Sequence, residues 1–91
     1  MSERPGDRNE RNVLAGIAEV VRQHLGWEGP LSPEMRLVED LRLDSIRLLT
    51  LAAEIENRFQ VLLFEEDEAG IETVGDLIGV VSGKLRGKLA G

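Results

Sequence analysis

The sequence predicts an all-α fold, a bundle of three longer helices and a short third one, with a long loop between the first two. Three observations predict it. Apolar residues recur at helical spacing in three separate stretches, 13–25, 46–59 and 74–85. Residues that start or stop helices, Asp44, Thr73 and Gly26 among them, stand at the ends of these stretches. The one run that could form a strand, Val61-Leu62-Leu63-Phe64, has no second strand to pair with.

A chain of 91 residues with 42% hydrophobic content makes one domain with a modest core. With no cysteine, its stability rests on packed aliphatic side chains, which suits a reducing cytoplasm. Residues 1–9, rich in charge and carrying Pro5 and Gly6, read as a disordered leader. From about Glu10 the first helix presents Val13, Leu14, Ile17, Val20, Val21 and Leu25 on its apolar side, and Gly26 stops it. Gly16 inside this helix costs about 1 kcal/mol against alanine, so a close packing contact is expected there. His24 reads as a surface residue opposing the helix dipole.

The loop 26–44 is punctuated by Gly29-Pro30 and Ser32-Pro33, and Ser32-Pro33-Glu34 resembles a single helical turn. Its apolar residues Trp27, Leu31, Met35, Leu37, Val38, Leu41 and Leu43 are expected to plug the open side of the bundle, and so to keep a connection of this length ordered. The second helix, from Ser45 to Phe59 with Asp44 as its cap, bears two apolar stripes. Leu48, Leu51, Ala52, Ile55 and Phe59 form one; Ile46, Leu49 and Ala53 fall on roughly the opposite side, next to Ser45. A small domain cannot bury both, so the Ile46 stripe is expected to meet a partner. The alternative is a single wide core face.

Residues 60–64 read as an apolar connector packed on the bundle, followed by a short acidic helix, Glu65-Glu66-Asp67-Glu68, ending at Gly70. The acidic run lacks the calcium-loop pattern, so no metal is assigned. Thr73-Val74-Gly75-Asp76 has the spacing of a capping box and opens the last helix, whose core stripe is Val74, Leu77, Ile78, Val81 and Leu85. Gly87 and Gly91 are expected to let residues 87–91 fray, leaving 10–86 as a free-standing domain and a monomer.

The stretch Leu37-x-x-Asp40-Leu41-x-Leu43-Asp44-Ser45-Ile46 resembles the acyl carrier proteins and related phosphopantetheine-attachment domains, in which Asp-Ser-Leu or Asp-Ser-Ile opens the second helix. The helix order extends the resemblance over 13–85. It implies a four-helix carrier bundle, with 4′-phosphopantetheine from coenzyme A attached to Ser45, beside Asp44, by a phosphopantetheinyl transferase. The arm's thiol would hold acyl or aminoacyl groups as thioesters, exchanged with loading ligases, synthases or transferases. Ile46, Arg47, Leu49, Ala53 and Glu56 are the residues assigned to partner binding.

Two departures bear on the partners. Where the family's second helix usually presents an acidic face, this one carries Arg47, Thr50 and Arg58 beside Glu54 and Glu56, and Arg42 stands where the family often has glycine. A cation next to the attachment site repels a basic partner patch, which points to a dedicated polyketide, specialised lipid or aminoacyl pathway.

Other functions find little support. No residue is assigned a catalytic role, because the one histidine is predicted on another helix and the pattern G-x-S-x-G is absent. A net charge of −6 and 3% aromatic residues argue against nucleic acid. No run is apolar enough to span a membrane. The alternative to a carrier is an unmodified helical interaction domain that uses the Ile46 stripe alone and tolerates Ser45→Ala.

Overall fold

The computed structural model describes the backbone of residues 5–90 and the side chains of residues 10–87. It contains four helices, α1 (Pro5–Leu25), α2 (Ser45–Phe59), α3 (Glu65–Ala69) and α4 (Val74–Ala90), and no strand among the described residues. α1 packs against both α2 and α4. Val13, Ile17, Val20 and Val21 of α1 meet Leu51 and Ile55 of α2 and Val74, Leu77, Ile78 and Val81 of α4 in one core. Burying each such aliphatic side chain is worth about 1.5–3 kcal/mol. Polar contacts outside the core also join α1 to α2: Glu19 pairs with Arg58 at 2.7 Å, and the His24 ring lies 3.4 Å from the Glu54 carboxylate.

Two helix limits differ from those expected. α1 begins at Pro5, inside the segment expected to be a leader; proline fits a helix's first turn because its missing N–H would have no intrahelical partner there. α4 continues through Gly87 to Ala90, since glycine weakens a helix by only about 1 kcal/mol and does not end it. The remaining residues of both expected tails lie outside the described ones.

The loop 26–44 is held by hydrogen bonds rather than by packing alone. Gly26, at φ 74°, turns the chain out of α1, and the Trp27 N–H returns to the Val21 carbonyl at 3.2 Å. Farther on, the loop pairs with the segment entering α4: Leu37 N–H donates to Glu72 O at 3.0 Å, Val74 N–H to Met35 O at 2.9 Å and Gly75 N–H to Pro33 O at 2.9 Å. The Asp40 carboxylate accepts the Arg36 N–H at 2.7 Å, which closes a turn and sends Leu37, Leu41 and Leu43 into the core. Val38 departs from the expected plug; it is 58% exposed because that turn faces it outward.

The connector after α2 is extended and alternates. Val61 is buried and Leu63 half-buried, whereas Leu62 and Phe64 are 65% and 55% exposed, so only half of the expected apolar connector packs on the bundle. Successive side chains of an extended chain point to opposite sides. α3 is pinned by Asp67, which accepts the Phe64 N–H at 2.9 Å and pairs with Lys84 of α4 at 2.9 Å. The capping box of α4 forms as expected: Asp76 N–H donates to Thr73 Oγ1 at 3.0 Å and the Asp76 carboxylate accepts from Thr73 N–H at 3.1 Å. It also accepts the Glu72 N–H at 3.0 Å.

Candidate functional site

The site is built at the N-terminus of α2, where the sequence assigns different tasks to two adjacent residues. Asp44 is extended (φ −87°, ψ −176°) and caps the helix, its carboxylate accepting the Arg47 N–H at 2.9 Å. Its carbonyl accepts the Leu48 N–H at 2.8 Å. Ser45, the first helical residue, is exposed, and its hydroxyl has no hydrogen-bond partner among the described residues. Because Asp44 performs the capping, Ser45 Oγ is left available. The free N–H groups and dipole of the first turn favour negative charge at this position.

An apolar cleft of about 420 Å³ opens beside Ser45. Leu48 and Ala52 of α2, Leu63 of the connector, Ile71 of the segment entering α4 and Leu77 of α4 line it, and Glu68 of α3 contributes the charged edge. Two other hollows, about 510 Å³ between α1 and α4 and about 760 Å³ around Phe64, do not touch Ser45.

The second α2 stripe is exposed, not a wide core face. Ile46 is 74% and Leu49 67% exposed and Ala53 is also at the surface, while Leu51 and Ile55 are buried. Arg47 stands exposed beside them. Glu56 lies farther along; its carboxylate accepts the Leu63 N–H at 2.8 Å and so shapes the connector. The cleft's walls come from six parts of the chain: the loop, α2, the connector, α3, the segment after it and α4. Ala52 faces this cleft, and Ala53, the next residue, faces a different hollow.

The one histidine is remote from Ser45. His24 pairs with Glu54, nine residues along α2 from Ser45, a rise of about 13 Å. Among the described residues no group of acidic and histidine side chains could hold a metal ion, and no helix is long and apolar enough to cross a membrane.

Comparison with known proteins gives this serine its context. The family of phosphopantetheine attachment sites matches residues 15–81. Its members hold 4′-phosphopantetheine covalently and are carriers rather than enzymes. The chain is similar to the meromycolate extension acyl carrier protein of Mycobacterium tuberculosis, 34% identical over 73 residues that cover 79% of this chain and 64% of that protein. It thus spans less than two thirds of the length of that mycobacterial relative. The acyl carrier protein of Micrococcus luteus is 30% identical over 76 residues, 82% of this chain and 94% of that one. A solved structure from Mycobacterium tuberculosis, described as a candidate acyl carrier protein, superposes with a TM-score of 0.66 at 29% identity, over 82% of this chain and 96% of that chain. The helix order, the serine opening α2 and these matches agree, and the chain belongs to the phosphopantetheine attachment family of carrier domains.

Proposed function

We propose that Ser45 is the attachment site and that the protein carries fatty acyl intermediates as thioesters for a dedicated lipid or polyketide pathway in the cytoplasm. One observation carries the reading: an exposed hydroxyl without a hydrogen-bond partner among the described residues, at the start of a helix and at the mouth of an apolar cleft. The residues fit the group. The phosphate ester would lie against the positive end of α2, and the cleft would receive an apolar chain folded back along the arm.

In the attachment step Ser45 Oγ attacks the phosphorus of coenzyme A's diphosphate that bears the pantetheine. Its proton passes to a base of the transferase, and the nucleotide bisphosphate leaves. When bound, the arm supplies a thiol that holds the acyl group, and its tether raises the cargo's effective concentration at each partner's active site. The partners are a phosphopantetheinyl transferase and enzymes that load, extend and remove the acyl group. The apolar lining favours an acyl over an aminoacyl cargo, and relatives named for meromycolate extension support a long chain.

Intact mass after incubation with coenzyme A and a broad-specificity transferase tests the site. A gain of about 340 Da in the wild type and none in Ser45→Ala is expected. A wild type that stays unmodified, with a control carrier modified in the same tube, would replace this reading with an unmodified interaction domain. For the cargo, attaching a long acyl chain should move the amide resonances of Leu48, Ala52 and Leu63; unchanged resonances there would show that the cleft does not shelter it.

A further inference from the structure

We infer that the face around Ser45 docks an enzyme surface with an apolar centre and carboxylates at its rim, so that the docking charge is cationic on this chain and anionic on the partner. The inference rests on the carrier reading for the identity of that partner as an enzyme acting at Ser45.

The charged groups of α2 separate into those already paired and those left over. Asp44 holds the Arg47 N–H, Glu54 faces His24 at 3.4 Å, Glu56 accepts from Leu63 N–H at 2.8 Å, and Arg58 is held by Glu19 at 2.7 Å. Each acid of α2 and its cap thus has a contact within the molecule that fixes where its charge lies, Asp44 and Glu56 turned onto backbone N–H groups and Glu54 toward α1. The guanidinium of Arg47 has no acidic partner among the described residues, and neither has that of Arg42, three residues before Ser45. Both are exposed. They bracket the attachment serine and the start of the Ile46–Leu49–Ala53 stripe, one at the end of the loop and one in the first turn of the helix.

Arg42 adds a conformational argument. It sits at φ 61°, in the left-handed region that glycine or asparagine adopts at less cost, and its side chain is exposed. A long cation at such a position is placed for what meets it from outside. Net charge sharpens the point: in a chain of −6, two exposed arginines without an acidic partner among the described residues lie within three residues of Ser45. A basic enzyme surface would be repelled there, and a second copy docked through the same stripe would oppose arginine to arginine. Glu68 of the acidic helix α3 lines the same cleft as Ser45 and sets the partner's orientation by refusing its carboxylates on that side.

The test titrates the full isotope-labelled chain with two helical peptides that share a central leucine and isoleucine cluster, one flanked by glutamates and the other by lysines. The glutamate peptide is expected to move the amides of Ile46, Arg47 and Leu49 and to bind about tenfold tighter at low salt, an advantage that added salt erodes. Arg42→Glu/Arg47→Glu should reverse the preference; both positions are exposed, and an acid in the first turn favours the helix, so the variant folds. Equal or better binding of the lysine peptide overturns the inference, as does no movement of α2 amides with either peptide at millimolar concentration, or a dimer formed through these amides. Mass gain at Ser45, measured on the same samples, separates the two readings. Modification without charge preference defeats the docking inference alone, and preference without modification defeats the carrier reading alone.

Discussion

Gly16 of α1 lies under the ring of Phe59 of α2, so close that a β-carbon at Gly16 would fall 2.5 Å from Phe59 Cζ and 2.9 Å from Arg58 Nε. The absent side chain is what lets the two helices approach, and the half-buried ring closes over the gap. Gly16→Ala gains about 1 kcal/mol of helix propensity but forces the ring away, at about 1–3 kcal/mol for an overpacked contact. A net loss of about 1 kcal/mol is expected in urea unfolding. Adding Phe59→Leu should lessen that penalty; a Gly16→Ala protein as stable as the wild type would show that the ring moves freely.

The same substitution should have the opposite sign on α4. A β-carbon at Gly79 or Gly83 meets no atom within 4 Å, and neither glycine has the positive φ that would strain alanine. Gly79→Ala and Gly83→Ala are each expected to stabilise by roughly 0.5–1 kcal/mol, read as a raised urea midpoint with unchanged slope.

Acid should unfasten the two shorter connections first. Backbone N–H groups of Glu72 and Thr73 hold the Asp76 carboxyl below the ordinary aspartate range, and the Phe64 N–H followed by Lys84 does the same for Asp67. A carboxyl lowered in the folded state adds stability that is complete above the unfolded pKa, about 3.9, and is lost as pH falls through the folded value. Stability should therefore drop more steeply below about pH 4 in the wild type than in Asp76→Asn. Parallel curves would remove Asp76 from the acid transition. Thr73→Ala, which takes away the cap at neutral pH, is expected to cost about 1 kcal/mol.

The two stripes of α2 should respond to truncation differently. Ile55 is fully buried, so Ile55→Ala is expected to cost about 2–5 kcal/mol in unfolding free energy. Leu49 is two-thirds exposed, and Leu49→Ala should change stability by less than about 0.5 kcal/mol. Its effect belongs in kcat/KM for Ser45 modification, with KM rising. A Leu49→Ala protein that unfolds early yet is modified at the normal rate would place this stripe in the core's service.

Ser45, Asp44 and the Thr73–Asp76 box could be read before any fold was known, because a helix cap is a matter of residues within four positions of one another. The helical periods of α1, α2 and α4, and the close contact at Gly16, were legible for the same reason. Other features were not. Apolar character alone put Val38, Leu62 and Phe64 inside, but a hydrogen-bonded turn and an extended connector can direct only some of their side chains to the core. The sequence offered two apolar sides on α2 and favoured the Ile46 stripe as the exposed one, with a single wide core face as the alternative; α1 and α4, packing from one direction, buried Leu51 and Ile55 and left Ile46 and Leu49 outside. The cleft beside Ser45 and the surplus of free arginine around it also emerge only in three dimensions. Both depend on which residues, distant in the chain, come close enough to wall a space or neutralise a charge.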